Sequence, residues 1–181
     1  MKNLFLFSYV FILFLTSFSP INAEELVLRR TQRGALVDGQ VMGGEYTLSQ
    51  ELNGLALYMS RTSDSIYVAI SAQTKGWVAI GFNSLIMDKA QILIGYVKGG
   101  NAVLKENIGK GHTHPEDALG YVKNYAMNES GGQTTLEVEC KLDRLWETGE
   151  DTLKLLVVYG QDDSMSSYHR FRKSLLVKFE D

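Results

Sequence analysis

The chain has 181 residues, of which 45% are hydrophobic and 22% charged, and its net charge is −3 at neutral pH. That length suits one domain with a single core. The only tight basic cluster is Arg170, Arg172 and Lys173, which argues against a nucleic-acid partner because a phosphate-binding face needs many Lys and Arg. Cys140 is the sole cysteine. This excludes an internal disulfide, covalent C-x-x-C-H haem attachment, an iron–sulfur cluster and paired-cysteine zinc.

Residues 1–23 have the order of a secretory signal peptide. Lys2 supplies the positive start, an apolar run covers residues 4–15, and the small residue Ala23 precedes Glu24. The run is shorter than the roughly 20 residues that a membrane span needs, although an uncleaved anchor is an alternative. No second run could cross a bilayer. We therefore expect residues 24–181 to form one secreted or periplasmic domain with no transmembrane span after cleavage.

The remaining chain is dense in short β-like segments. Apolar Ile66, Val68 and Ile70 alternate with other residues, a period of two that gives a strand one core face. Residues 141–146 form the only helical turn of note. Strands are predicted, in chain order, over residues 26–30, 55–59, 65–71, 77–82, 92–97, 102–106, 121–127, 134–140, 153–159 and 174–179. About ten strands with little helix predict an all-β fold, an antiparallel β-sandwich.

The stretch over residues 76–97 contains two apolar, β-rich runs joined by a short connector. The connector carries Met87 where a merely solvated turn would carry a polar residue. A methionine often only fills an irregular gap in a core. Met87 is therefore either a packing residue or a metal ligand.

Histidines offer two candidate sites. His169 follows a polar loop and directly precedes the last predicted strand, where it is placed either to ligate a metal or to face water. His112 and His114 lie two apart in a Gly-containing loop with Glu116 and Asp117 nearby. In an extended backbone, two histidines spaced in this way have their side chains on the same side of the chain, so they are an alternative site for copper or zinc.

Several segments together resemble the DOMON domains, extracellular β-sandwich modules of haem and sugar binding. The resemblance extends over most of residues 24–181 and depends on the order of the segments more than on any one of them. The matching segments are GWVAIGF at residues 76–82, Met87, residues 92–97, Asp38-Gly39 with Glu45-Tyr46, residues 140–143, and Tyr168-His169 with residues 172–179.

The resemblance implies a function. In the cytochrome branch of DOMON domains, a methionine after the first strand pair and a histidine just before the final strand ligate haem b, and Met87 and His169 occupy similar positions. Non-covalent haem b, electron transfer and no enzymatic activity are the resulting expectations. The partner is expected to be a separate dehydrogenase, oxidoreductase or membrane cytochrome.

The ligand chemistry agrees with that role, because a thioether and an imidazole fill both axial positions and leave no open site for a substrate. Residues expected to line the haem slot or face its carboxylates are Trp77, Phe82, Leu85, Ile86, Met165, Arg170 and Arg172. The alternative is an extracytoplasmic carbohydrate-binding module without haem, in which Trp77 or Trp146 stacks on a sugar.

Overall fold

The computed structural model describes residues 24–146 and 150–181, so the predicted signal peptide lies outside the described residues. The described part contains eleven strands and one short helix. None of its helices is long and apolar enough to cross a membrane. The elements are β1 Glu24–Arg29, β2 Leu48–Leu52, β3 Leu55–Arg61, β4 Ser65–Ala72, β5 Val78–Phe82, β6 Gln91–Lys98, β7 Asn101–Ile108, β8 Val122–Ser130, β9 Gln133–Lys141, α1 Leu142–Leu145, β10 Thr152–Tyr159 and β11 Phe171–Glu180.

The strands form two sheets that pack face to face. The six-stranded sheet has the order β1-β11-β10-β5-β6-β7, and the five-stranded sheet has the order β2-β3-β4-β9-β8. Neighbouring strands are antiparallel, except that β1 runs parallel to β11. The predicted β-sandwich is confirmed. The sequence pattern did not indicate β2, because three polar residues separate its two buried leucines.

The main core lies between the sheets and is built by alternation along each strand. In β5, for example, Val78, Ile80 and Phe82 are almost fully buried in the core. Cys140 is fully buried there as a free thiol. Burial raises the pKa of that thiol well above its ordinary range, so it is the packed, unreactive cysteine that the alternation predicted.

Residues 31–47 cover the outer face of the five-stranded sheet and are fastened to one buried carboxylate. Glu137 accepts hydrogen bonds from the Gly39 N–H (2.7 Å), the Asp38 N–H (3.0 Å) and the Tyr46 hydroxyl (2.7 Å). Burial raises the pKa of Glu137 despite these donors. These contacts hold residues 31–47 against the five-stranded sheet.

Candidate functional site

The outer face of the six-stranded sheet carries a second apolar cluster, separate from the core. Its buried members are Trp77, Ala79, Ala90, Ile92 and Ile94, which we call the platform. They are between 0% and 6% exposed. The half-buried residues packed against the platform are Met87, Tyr96, Val158 and Met165. Because the outer face of an antiparallel sheet ordinarily faces water, a covered apolar cluster there marks a candidate binding site.

One row of paired residues crosses the platform from β11 to β7. From β11 to β7, the successive partners are Arg172, Val158, Ala79, Ile94 and Lys105. The three central residues are apolar and the two outermost are cationic. The row therefore combines an apolar floor with a positive charge at each end.

The connector of residues 83–90 folds back over this face from the end of β5. Asn83 begins the reversal in the left-handed region, with a φ of 64°. The Ser174 hydroxyl then donates to the Leu85 carbonyl oxygen at 2.5 Å, which ties the connector to β11. Met87 follows two residues later, half-buried against the platform. Local turn geometry and one hydrogen bond thus bring the thioether to the outer face.

A second loop, residues 160–170, approaches from the start of β5 and is fastened to Trp77. The Gly160 N–H donates to the Trp77 carbonyl oxygen at 2.9 Å, and the Trp77 N–H donates to the Asp162 carbonyl oxygen at 3.1 Å. The indole Nε1–H donates to the Ser167 hydroxyl at 3.2 Å. Trp77 is therefore both part of the platform and the anchor of this loop.

His169 lies at the end of that loop, two residues before β11, and is half-buried. Its ring centroid is 4.4 Å from that of Tyr168. Burial, followed by the positive charge of Arg172, lowers the pKa of His169 below its ordinary 6.5. At neutral pH the imidazole therefore keeps a lone pair. Arg172, a member of the outer-face row, lies three residues after His169 along the chain.

The two predicted ligand residues lie in loops at opposite ends of β5. Met87 belongs to the connector that follows this strand, and His169 belongs to the loop that Trp77 holds just before it. A neutral imidazole and a thioether are both ligands that iron accepts in haem proteins.

Residues 51–154 match the DOMON domain. This chain belongs to the DOMON domain family. None of the curated protein sequences matches it.

Solved structures share the DOMON fold of this chain. The cytochrome b domain of pyranose dehydrogenase from Coprinopsis cinerea has a TM-score of 0.52 at 8% identity, covering 68% of this chain and 76% of that one. The cytochrome domain of Myriococcum thermophilum cellobiose dehydrogenase has a TM-score of 0.53 at 11% identity, with 74% and 81% covered. A family 9 carbohydrate-binding module from Caldicellulosiruptor kristjanssonii, in complex with cellotriose, has a TM-score of 0.53 at 12% identity, with 87% and 94% covered. At these identities the likeness shows the fold alone.

One residue that was predicted to line the haem slot, Phe82, does not lie on the platform. Phe82 is fully buried in the core between the sheets, edge-to-face with Tyr121 at 6.0 Å. Because side chains alternate along β5, the residues facing the platform are Ala79 and Gly81, so the prediction for Phe82 is wrong. Ile86 is 55% exposed at the rim of the connector.

The alternative metal site at His112 and His114 lacks a complete ligand set. No group of three or more His, Cys, Asp or Glu side chains in residues 24–146 and 150–181 is placed to hold a metal ion. His112 is exposed and His114 is half-buried. The Asn107 amide donates to the His114 carbonyl oxygen at 2.6 Å, so this loop is folded onto β7.

Two contributors to the DOMON platform were missed from the sequence. Lys105 reaches the platform row only through the pairing of β6 with β7, and Ser174 reaches it through a tether to the connector. A serine at an outward position of the last strand only weakly indicated a hydrogen bond to the connector. Nothing in the chain order could have placed Lys105 opposite Arg172.

The platform is covered by side chains, and two surface cavities lie away from it. One cavity of about 450 Å³ is bordered by Lys123 and Trp146. Another, of about 240 Å³, is bordered by Met42 and Tyr58.

Proposed function

We propose that this DOMON domain is an exported haem b-binding protein that transfers single electrons, with Met87 and His169 as the axial ligands. The observation that carries the proposal is the Met87 thioether packed on the platform, with His169 in the loop that Trp77 anchors. A half-buried thioether packs on the apolar floor, and a half-buried imidazole with a lowered pKa lies at the end of the loop that is fastened to Trp77. When bound, haem b supplies a reversible one-electron centre.

The surrounding residues fit such a group. The platform side chains exclude water, and Met87 and Met165 already pack against them. Haem carboxylates need cationic or polar partners at the edge of an apolar slot. Arg172 is exposed at one end of the platform row, and Lys105 lies at the other end, where its ammonium is 2.6 Å from Glu116. Arg172 is the better placed of the two arginines considered from the sequence.

Axial ligation from both faces suits electron transfer rather than catalysis, because no coordination position remains for a substrate. A thioether ligand also raises the reduction potential relative to two nitrogen ligands. The partner in this proposal is a separate dehydrogenase, oxidoreductase or membrane cytochrome outside the cytoplasm. Export depends on residues 1–23 acting as a signal peptide.

Titration of the purified protein with hemin tests the proposal. The expected result is a Soret band that saturates at one haem per chain. Met87→Leu, which keeps the apolar volume but removes the sulfur, and His169→Gly are each expected to lose the six-coordinate low-spin spectrum. Free imidazole is expected to restore that spectrum in His169→Gly, since the substitution leaves a hole of matching shape. A wild-type protein that binds no hemin contradicts the proposal.

Two matched variants control for indirect effects. Met165→Leu removes a thioether from the same platform and is expected to leave the wild-type spectrum unchanged. His114→Ala removes the other half-buried histidine and is expected to do the same. Loss of ligation in His114→Ala with retention in His169→Gly would show that the imidazole has been assigned to the wrong residue.

Carbohydrate binding without haem is the second candidate function. The shared fold with the cellotriose-bound module supports it. The side chains favour it less, because Trp77 is only 6% exposed and offers no free face for sugar stacking. A colourless protein that binds cello-oligosaccharides, measured by calorimetry, and loses that binding in Trp146→Ala would establish this function in place of electron transfer.

A further inference from the structure

The turn that carries Met87 is seated on the residue that follows β7. The Lys89 N–H donates to the Gly109 carbonyl oxygen at 2.9 Å, and the Gly109 N–H donates to the Ala90 carbonyl oxygen at 2.9 Å. Within the turn, the Ala90 N–H donates to the Met87 carbonyl oxygen at 3.1 Å. A Cβ atom built on Gly109 overlaps that same carbonyl oxygen. No side chain fits at position 109 unless the Met87 backbone moves.

The seat itself is firmly attached to the sheet. Lys110 and Thr113 exchange backbone hydrogen bonds of 2.8 and 3.0 Å, which closes a tight hairpin directly after Gly109. The Asn107 amide, on the outer face of β7, donates to the His114 carbonyl oxygen at 2.6 Å. The loop after β7 is thus held by its own hydrogen bonds, so a displacement of this loop would also move the turn that carries Met87.

A side chain of the connector closes the contact from the other direction. The Asp88 carboxylate accepts a hydrogen bond from the Gly111 N–H at 2.7 Å. The Met87 carbonyl group therefore lies directly against Gly109, and the next residue, Asp88, accepts a charge-assisted hydrogen bond from Gly111. The height of Met87 above the platform depends on both contacts.

We propose that Gly109 is the positioning residue for the Met87 thioether, so that the end of β7 sets where the sulfur lies above the platform. The contact between Gly109 and the Met87 backbone does not depend on a bound cofactor. Only its consequence for iron ligation rests on the proposed function. A larger residue at 109 displaces the sulfur, and the haem then loses one axial ligand while the platform and His169 remain in place.

The first test uses the haem-free protein, with its methionine methyl groups labelled with carbon-13 and observed by NMR. The chain contains six methionines, and Met87→Leu identifies the Met87 signal by its disappearance. We expect Gly109→Ala to move the Met87 methyl signal and to leave that of Met59, fully buried in the core, unchanged. A Met87 signal that does not move overturns the proposal.

The matched control is Gly43→Ala, where an added Cβ meets nothing within 4 Å. It is expected to leave the Met87 signal in place. If Gly109→Ala does not fold, Asp88→Ala decides the matter, because it removes only the hydrogen bond to Gly111. That variant is expected to shift the Met87 signal by a smaller amount, and an unmoved signal again overturns the proposal.

The second test uses the haem-loaded protein. In Gly109→Ala we expect loss of the near-infrared sulfur-to-iron charge-transfer band of the ferric state and gain of carbon monoxide binding in the ferrous state. Retention of the band with no gas binding overturns the positioning role. A wild-type protein without the band refutes Met87 ligation instead, and the NMR result then still decides whether Gly109 positions Met87.

Discussion

Trp77 couples the platform to the loop that carries His169, and its replacement is expected to disturb both. The side chain is 6% exposed, and Gly160 lies so close beneath the indole that a Cβ there would overlap it. Truncating a buried tryptophan to alanine leaves a large cavity and typically costs about 3–5 kcal/mol. Trp77→Ala is therefore expected to lower the free energy of unfolding by about 4 kcal/mol.

Two smaller changes divide that loss into its parts. Ser167→Ala removes the acceptor of the indole N–H and is expected to cost about 1 kcal/mol, the net contribution of one hydrogen bond. Trp77→Phe removes the same hydrogen bond and part of the ring, so its cost is expected to lie between those of Ser167→Ala and Trp77→Ala. Urea unfolding followed by circular dichroism measures all three.

Functional coupling is measured on the same proteins. In Trp77→Phe, which retains most of the packing, hydrogen exchange at residues 160–170 is expected to rise because one of the tethers to Trp77 is missing. Ser166→Ala, whose hydroxyl contacts only the exposed Ser164 hydroxyl at 2.9 Å, is the control. A cost below about 1 kcal/mol for Trp77→Ala contradicts the reasoning, because it means that the indole is not buried on the platform.

Two further predictions concern carboxylate and imidazole groups. Glu137→Ala orphans the buried donors of Gly39 and Tyr46, each worth roughly 1–3 kcal/mol, so the free energy of unfolding is expected to fall by about 2–6 kcal/mol. The pKa of Glu137 is raised above 4.5 in the folded protein. The free energy of unfolding of the wild type, relative to that of Glu137→Gln, should therefore decline as the pH rises from 4.5 through the folded pKa. A difference between the two proteins that does not change with pH refutes this. Arg172→Gln is expected to raise the pKa of His169 towards 6.5, as followed by NMR titration, so ligation is lost at a higher pH than in wild type.

The strand pattern of this chain could be predicted from local sequence where large apolar residues alternate with other residues or where turn residues mark a hairpin. Alternation at Ile66, Val68 and Ile70 placed β4, and paired glycines at Gly131 and Gly132, both with positive φ, marked the β8–β9 hairpin. What local pattern does not contain is which strands become neighbours. The parallel pairing of β1 with β11 joins the two ends of the described chain, and no nearby residue signals it.

The same limit applies to the site. Met87 and His169 were proposed from spacing and family resemblance, and the outer-face location of the Met87 connector follows from Ser174 and Gly109, which are distant in sequence. Phe82 was misassigned because a run that is buried on both faces shows no alternation from which to separate core from platform. The pairing register of β5 with its neighbours shows directly that Phe82 faces the core.

The measurement that tests axial ligation most directly is the near-infrared magnetic circular dichroism of the ferric, haem-loaded protein. The account predicts a sulfur-to-iron charge-transfer band in wild type and Met165→Leu, and its loss in Met87→Leu. A band typical of two nitrogen ligands in wild type, or a sulfur band that survives Met87→Leu, contradicts the account.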